Sequence, residues 1–236
     1  MTNRRNSPTS LPLYVQISET LIREIAAGRL IDGERLPPER EMAKQHGTTV
    51  RTLRKSLTEL EHKGLLERIQ GSGNYVRHSQ RVDSVYSMFR LELIKGGGLP
   101  SADALSVTFC EKPADLPAFG ASDTATRIRR LRYLDDTPIA VEEIWLDGAA
   151  GRISEASLVD SLYQYYRAQL GFWISRAEDS VSIDTVPTWA PQSFDPSTGT
   201  LTGFIERLSW AQSPAAVEYS RTWFDTNQAR YVQRLI

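Results

Sequence analysis

The residues with the most readily recognised chemistry lie between positions 36 and 60, where cations and hydroxyls share one predicted helix. Arg51, Arg54 and Lys55 are interspersed with Thr49 and Thr52. The apolar residues of this helix recur at intervals of three and four: Val50, Leu53, Leu57 and Leu60. Such spacing buries one face of a helix. The other face then presents groups that contact phosphates and base edges, which is typical of the recognition helix of a helix-turn-helix.

A second informative set, Arg130 and Arg132, lies on a predicted strand. Side chains alternate between the two faces of a strand, so both guanidinium groups share one face and Leu131 points to the other. Two guanidinium groups on a half-buried face need a counter-charge, which is either a ligand phosphate or carboxylate or a protein carboxylate. Glu142 and Glu218 are candidates for that role, or for binding ligand hydroxyls. Surface ion pairs across the sheet are the alternative.

The sequence indicates neither catalytic nor metal-binding chemistry. His46, His62 and His78 are scattered in different contexts, which does not suggest a metal site. The single cysteine, Cys110, excludes an internal disulfide and fits a buried strand position better than a reactive thiol. We therefore expect no catalytic residues, no metal and no cofactor.

The composition of the 236 residues, 40% hydrophobic and 24% charged, is typical of a soluble globular protein with one large domain or two modest ones. Residues 1–78 contain 13 Lys and Arg against 9 Asp and Glu, a net charge of +4, whereas the remainder carries −5. This asymmetry indicates that the N-terminal third faces a polyanion. No apolar run approaches the roughly 18 residues of a membrane span. Because no signal peptide is expected and the lone cysteine suits a reducing compartment, we predict a cytoplasmic protein.

Several local elements must position the recognition helix. In chain order the prediction is a flexible arm over 1–10, helices over about 13–27, 38–46 and 49–63, and strands over 65–69 and 75–77. Pro38 is a helix-opening signal, and Gly28 and Gly64 are helix stop signals. The hairpin has a glycine-rich tip that includes Gly71, where backbone amides can approach a phosphate closely. Three helices followed by a hairpin predict a winged helix-turn-helix over residues 11–78.

Residues 12–76 resemble the DNA-binding domain of the GntR family of bacterial transcription regulators. The resemblance rests on Pro-Leu-Tyr and Gln-Ile near the start, Leu-Pro-Pro-Glu-Arg-Glu-Met-Ala at 36–43, Thr-Leu-Arg in the third helix, and Gly-Ser-Gly followed by Tyr-Val in the hairpin. The family usually has an arginine directly after the first Ser or Thr of the recognition helix. This chain has Val50 there and Arg51 one place later, so we expect its operator preference to differ.

This resemblance implies DNA contacts from residues before, within and after the turn: Arg40, Thr49, Thr52, Arg54 and Gly71. We add Arg51 on physical grounds, because it is a cation near the start of the recognition helix. The alternative for Arg40 and Arg54 is a salt bridge within the domain, to Glu39 or Glu59. The arrangement as a whole is built for phosphate and base contacts.

A linker predicted over 79–84 leads into a C-terminal domain over 85–236, and the first segment of that domain, 85–95, has a helical pattern. The further predictions are strands over 106–110, 126–134, 139–146, 173–185, 204–210, 216–224 and 229–236, a short helix and turn over 113–120, and a helix over 158–170. Strands joined by hairpins, with helices between them, predict an α+β fold with a mainly antiparallel sheet.

Residues 84–235 resemble the UTRA effector-binding domain of HutC-type GntR regulators, whose fold is like that of chorismate lyase. The resemblance rests on Arg-Leu-Arg at 130–132, Asp-Asp-Thr-Pro-Ile-Ala at 135–140 and, further on, Pro214. It implies an effector-binding site formed by these residues: Arg130, Arg132, Glu142, Glu218, Phe224, Ser87 and Phe89. Phe224 stands where the family often has a tyrosine, so the stacking surface is kept and one hydroxyl contact is lost.

The two resemblances imply a ligand-responsive transcription regulator. We expect a repressor that binds palindromic operator DNA as a homodimer and is released by a small anionic metabolite, such as a sugar phosphate, a carboxylate or a sulfonate. The dimer contact is expected in the C-terminal sheet domain, because two-fold symmetry must match two half-sites. The alternative is an enzyme of chorismate-lyase-like fold with a DNA-binding appendage, although no nucleophile–base pair stands out. The sequence leaves the effector and the operator open.

Overall fold

The computed structural model describes residues 11–77, 84, 86, 88–154 and 161–234. The predicted arm at 1–10, the predicted linker apart from Ser84, and Ser87 lie outside the described residues. The chain divides into two compact units. Unit 1 comprises Met1–Arg90, Lys95–Leu99 and Val232–Ile236, and unit 2 comprises Leu91–Ile94 and Pro100–Tyr231.

Unit 1 contains three helices and a two-stranded wing: α1 (Leu13–Ala26), α2 (Glu39–Gln45), α3 (Val50–His62), β1 (Leu66–Ile69) and β2 (Gly73–Val76). Apolar residues of the helices and the wing share one core, among them Leu21, Leu53 and Val76. The chain before α2 extends the wing, because the amide of Leu36 donates to the carbonyl of Asn74 over 2.9 Å. The predicted winged helix-turn-helix is confirmed.

Unit 2 is built on strands that run antiparallel to their neighbours. They are β3 (Leu91–Leu93), β4 (Pro100–Glu111), β5 (Thr124–Leu134), β6 (Thr137–Asp147), β7 (Arg176–Thr185), β8 (Leu201–Trp210), β9 (Ala216–Phe224) and β10 (Ala229–Tyr231). Six of them form one sheet in the order β4-β5-β6-β9-β8-β7, and β3 pairs separately with β10. The predicted α+β fold with a mainly antiparallel sheet is confirmed.

The two faces of the six-stranded sheet differ in chemistry. One face carries an apolar core that includes Leu131, Val141 and Trp223. The other face, which we call the polar face, is defined by the registers of β5, β6, β9 and β8. It carries charged residues from each of these strands: Arg130, Arg132, Glu142, Glu218 and Arg207. A short helix, α4 (Leu162–Tyr165), and a π-helical turn at Tyr166–Leu170 supply further side chains to this face.

Some secondary-structure predictions are wrong. Residues 91–93 of the segment predicted as a helix form β3, because Leu91 and Leu93 alternate with Glu92 and the segment pairs with β10. Residues 113–120 form turns without a helix, consistent with prolines at 113 and 117. The last predicted strand ends at Tyr231 and pairs with β3 instead of joining the large sheet. For the two strand segments the outcome depends on pairing partners that are distant in sequence.

Candidate functional site

The start of α3 is organised by two threonine hydroxyls. Thr49 is the N-cap residue, and its Oγ1 accepts a hydrogen bond of 3.2 Å from the backbone amide of Thr52. The two hydroxyl oxygens also lie 3.0 Å apart. This cap satisfies one amide at the positive end of the helix, where anions such as DNA phosphates are favoured. The two predicted threonines are therefore brought together at a helix N-terminus that can face DNA.

The predicted DNA-contacting arginines lie on the exposed surface of unit 1. Arg40 on α2 and Arg51 on α3 are exposed. Arg54 is also exposed, by 63% of its side chain, and its Nε donates to Oε2 of Glu39 over 2.6 Å. The salt-bridge alternative thus holds for Arg54 in the DNA-free chain. An exposed pair of this kind contributes about 0–1 kcal/mol, so it leaves the guanidinium group available to a phosphate.

The tip of the wing needs its glycines. Gly71 is exposed and has a φ of +76°, and Gly73 has a φ of +140°, values that side chains with a Cβ rarely adopt. A Cβ at Gly73 would also lie 3.0 Å from Nε of Arg35. The backbone of Arg35 forms an antiparallel β-bridge with Tyr75 of β2, and its exposed side chain adds a cation beside the wing. No local signal indicates this position for Arg35, because only the pairing of its segment with β2 places it there.

On the polar face, Arg130 and Glu142 are directly opposite each other on β5 and β6. Oε2 of Glu142 accepts from Nη2 of Arg130 over 2.6 Å and from Nε over 3.1 Å, and Nη1 of Arg132 is 3.4 Å away. Both arginine side chains are buried. Burial acts to raise the pKa of Glu142, but the positive charges of Arg130 and Arg132 outweigh it and hold this pKa below its usual value. Glu142 is therefore an ionised partner of the arginines.

The Arg130 guanidinium group is not saturated by this arrangement. Its Nη1 atom is buried and has no hydrogen-bond partner among the described residues. A guanidinium group presents five N–H donors in a planar fork, and a buried donor without an acceptor is costly. An added anion that reached this atom would satisfy it.

Glu218 plays a different role from Glu142. Its Oε2 accepts from the hydroxyl of Tyr166 over 2.5 Å, and its Oε1 accepts from Ser209 over 3.0 Å and Tyr163 over 3.1 Å. Burial raises the pKa of Glu218, despite these hydrogen bonds, and the charge of Glu142 adds to the increase. Glu218 is thus a buried carboxyl surrounded by hydroxyls, and it is Glu142 that supplies the counter-charge.

Two of the hydroxyl donors to Glu218, Tyr163 and Tyr166, are not among the residues that the sequence predicts for this site. They follow each other at helical spacing, so their rings lie together at 5.8 Å between centroids, and both hydroxyls reach Glu218. No local signal could have paired them with a carboxylate more than 50 residues away.

A half-buried ion pair on the polar face was also missed. Nε and Nη2 of Arg207 donate to the two carboxylate oxygens of Asp179 over 2.5 and 2.7 Å. The hydroxyl of Tyr231 donates to the same carboxylate over 2.8 Å. Burial acts to lower the pKa of Arg207, but the bonds to Asp179 outweigh it and raise this pKa further above its usual value. The Arg207 fork is therefore occupied by a protein carboxylate.

Two aromatic residues of the predicted effector site are placed differently. Phe224 is buried on the polar face, between Ala140 of β6 and Gly203 of β8. Phe89 belongs to unit 1, where the guanidinium carbon of Arg23 lies 5.4 Å from its ring centroid. Phe224 therefore shares the polar face with Arg130, Arg132, Glu142 and Glu218, whereas Phe89 is part of unit 1. Ser87 lies outside the described residues.

Neither a metal centre nor a membrane span is found in the described part of the chain. No group of three or more His, Cys, Asp or Glu side chains there could hold a metal ion. No described helix combines the length and the apolar character that crossing a membrane requires.

Comparison with known proteins identifies both units. Residues 13–76 match the family described as bacterial regulatory proteins, gntR family, and residues 100–230 match the UTRA domain. The HTH-type transcriptional regulator SmoD of Agrobacterium fabrum is 56% identical over 227 residues, which cover 96% of this chain and 97% of SmoD. The chain belongs to the GntR family. Its UTRA domain places it in the HutC-type branch.

More distant GntR relatives agree with this assignment. The HTH-type transcriptional repressor NagR of Bacillus subtilis is 25% identical, with 96% of each chain covered. The mannosyl-D-glycerate transport/metabolism system repressor MngR of Escherichia coli is 27% identical and covers 93% of this chain and 94% of MngR. Among solved structures, YydK of Bacillus subtilis has a TM-score of 0.54 at 18% identity and covers 96% of this chain and 100% of YydK, so it shares the fold.

This GntR-family chain with a UTRA domain is a ligand-responsive, DNA-binding transcription regulator. The family consists of regulators, so the alternative of an enzyme with a DNA-binding appendage is wrong.

Proposed function

We propose that this regulator represses transcription as a homodimer on a palindromic operator and is released by a small anionic metabolite bound at Arg130 and Arg132. The observation that supports an anionic ligand is the buried Nη1 atom of Arg130, which has no acceptor among the described residues. Because buried donors are almost always hydrogen-bonded, we infer that a bound anion supplies the acceptor for this atom.

The chemistry around Arg130 favours a phosphate, carboxylate or sulfonate attached to a polar body. A planar guanidinium fork binds such groups through two parallel hydrogen bonds. Glu142 then keeps Arg130 and Arg132 aligned and offers acceptors for ligand hydroxyls. The name of MngR refers to mannosyl-D-glycerate, in which a sugar is linked to a carboxylate. Sugar phosphates and sugar-linked carboxylates are therefore the first classes to test.

We further propose which residues divide the two tasks. Residues 11–78 form the DNA-binding domain, and 85–236 form the effector-binding and dimerisation domain. The operator contacts come from these residues: Arg40, Thr49, Arg51, Thr52, Arg54 and Gly71. The exposed arginines and the capped N-terminus of α3 support this assignment, because phosphate contacts position a recognition helix in the major groove and short side chains at its start read base edges.

Release by the metabolite follows from thermodynamic linkage. The metabolite shifts the population only as far as it binds the DNA-incompetent arrangement more tightly than the DNA-bound one. Binding of operator must reciprocally weaken binding of the metabolite by the same factor.

An operator-binding experiment tests this proposal. Purified full-length protein is titrated onto its upstream DNA at moderate salt, with and without sugar phosphates, sugar-linked carboxylates and sulfonates, and mass spectrometry identifies any copurifying ligand. We expect sequence-specific binding that one anionic class weakens at least tenfold. Absence of specific DNA binding under every ligand condition would disprove the regulator, and release by a neutral sugar alone would disprove the anion.

A further inference from the structure

The strand β7 forms one edge of the six-stranded sheet and has an open outer side. Among the described residues its only strand neighbour in the sheet is β8, with which it pairs without interruption from Arg176 to Thr185. The amides and carbonyls on the other side of the strand therefore have no strand to bind. Such an edge is a template for pairing with another chain unless the protein blocks it.

The opposite edge, β4, carries a proline and a break in its register, whereas β7 carries neither. The register of β4 shifts between Ala104 and Ser106, and the strand begins at Pro100. Bulges, prolines and lysines are the usual devices that prevent edge pairing. β7 contains no proline, no lysine and no register shift. Its regular ten-residue edge is the one suited to accept a strand.

Apolar side chains at this edge are exposed on the polar face of the sheet. Val181 and Ile183 of β7 are 51% and 72% exposed, and Leu201 at the start of β8 is 65% exposed. The register of β7 with β8 places all three on one face. An exposed apolar cluster beside an open strand edge marks an interaction surface.

We propose that β7 pairs antiparallel with β7 of a second copy of this chain, so that the two sheets continue into one. This inference rests on the proposed homodimer and assigns its surface. Directly opposite residues in an antiparallel pair share a face, so a strand paired with its own copy about a two-fold axis has one residue opposite itself. The register centred on Ser180 uses nine residues, from Arg176 to Asp184.

Charge complementarity favours this register and a second copy as the partner. Arg176 lies opposite Asp184 of the other copy, once at each end of the paired strands. Glu178 lies opposite Ser182, and Ala177 opposite Ile183, so no like charges face each other. A two-fold interface requires a surface that complements itself in this way.

The first experiment compares the two edges by sedimentation equilibrium of the full chain. V181E/I183E introduces glutamates at the exposed apolar positions of β7, where position 181 would lie opposite Asp179 of the other copy, and L105E introduces one on β4, where Leu105 is 37% exposed. We expect V181E/I183E to weaken dimerisation at least tenfold and L105E to leave it unchanged. Circular dichroism melting confirms that both variants fold.

The second experiment tests the register with a disulfide. In a background in which Cys110, the single cysteine, is replaced by alanine, S180C is placed opposite itself across the proposed axis, within the Cα separation that a disulfide spans. We expect S180C to form a covalent dimer under mild oxidation, and S182C to form at least tenfold less. Efficient cross-linking of S182C instead of S180C would overturn the register.

The outcomes separate this inference from the proposed function. A wild-type chain that is monomeric at micromolar concentration would disprove the homodimer itself. A wild-type dimer that V181E/I183E leaves intact, or that only L105E disrupts, would overturn the β7 surface while the homodimer stands. A monomeric V181E/I183E variant whose melting temperature still rises when the anionic metabolite is added would confirm that the dimer surface is separate from the effector site.

Discussion

Arg130 and Glu142 are directly opposite each other across the β5–β6 hairpin, and Nη2 of the arginine lies 2.6 Å from Oε2 of the carboxylate. The arginine is buried, so its charge is tolerated only because Glu142 lies beside it. At the same time Nη1 of Arg130 has no acceptor among the described residues. One side of the guanidinium group therefore stabilises the fold, and the other side is available to a ligand. A mutation at this position acts on both.

Replacing Arg130 should abolish the metabolite response without abolishing DNA binding. R130Q removes the anion-binding fork, so we expect no metabolite effect on operator affinity, while affinity without metabolite stays within a few-fold. Removing one partner of a buried pair also costs about 3–5 kcal/mol of stability. The double variant R130Q/E142Q removes both charges and should recover much of that loss. Operator titration and urea denaturation measure the two effects.

The control for this prediction is R129Q. Arg129 is the preceding residue, points to the opposite face of β5 and pairs with Glu143. We expect R129Q to keep the metabolite response. An equal loss of response in R129Q, or a full response in R130Q/E142Q, would contradict the role given to Arg130.

The exposed ion pair between Arg54 and Glu39 should break when Arg54 contacts DNA. Breaking this pair costs at most about 1 kcal/mol, which is less than a phosphate or base contact contributes. We expect R54A to weaken operator binding about tenfold or more and to lower the salt slope by about 1. E39Q should change affinity by no more than a few-fold, towards tighter binding. Fluorescence anisotropy at several salt concentrations measures both variants, and a loss in E39Q as large as that in R54A would mean that the pair itself organises the site.

Glu218 should make the chain less stable as pH rises above about 4.5. The pKa of this buried carboxyl lies above its ordinary value of 4.5 in the folded chain, so the protonated form is the one that the fold favours. Stability is fully present below 4.5 and is lost as pH increases through the folded pKa. E218Q lacks this titration, so its stability relative to wild type should increase with pH over that window.

The denaturant midpoints of the wild type and of E218Q, measured between pH 4.5 and 8, check the sign of the Glu218 effect. E111Q is the matched control, because Glu111 is exposed on β4, away from the proposed dimer strand. Glu142 has the opposite sign, since its pKa is lowered: its contribution is present above 4.5 and is lost as pH falls through the folded pKa. A stability of E218Q that follows wild type at every pH would show that Glu218 does not titrate in this window.

Gly203 should be required for the position of the Phe224 ring. A Cβ at Gly203 would lie 2.2 Å from Cζ of Phe224, so G203A forces the ring to move. Overpacking of this kind costs about 1–3 kcal/mol, and we expect metabolite affinity to fall as well because Phe224 lies on the polar face. G203A/F224L removes the clashing ring and should regain stability without regaining full affinity. Thermal melting measures the stability of both variants, and metabolite titration measures their affinity. A double variant less stable than G203A would contradict this prediction.

The winged helix-turn-helix could be predicted because its signals are local. Apolar spacing in α3, the prolines before α2 and the glycines after the helices each act within a few residues. The strands of the large sheet were also predicted, from alternation and turn residues. Residues 91–93 were predicted wrongly, because a short apolar segment takes the conformation of the partner that pairs with it, and that partner, β10, lies about 140 residues later.

The sequence by itself determined which residue types share a strand face, including Arg130 and Arg132. Only the tertiary structure decided which carboxylate lies beside them: the β5–β6 register selects Glu142, and hydroxyls from α4 and the π-helical turn occupy Glu218. It also decided that β7 is an edge, because β9 lies between β6 and β8 and leaves β7 outermost. Local backbone preferences are encoded within a few residues, whereas strand order and register depend on burial and hydrogen bonding across the whole domain.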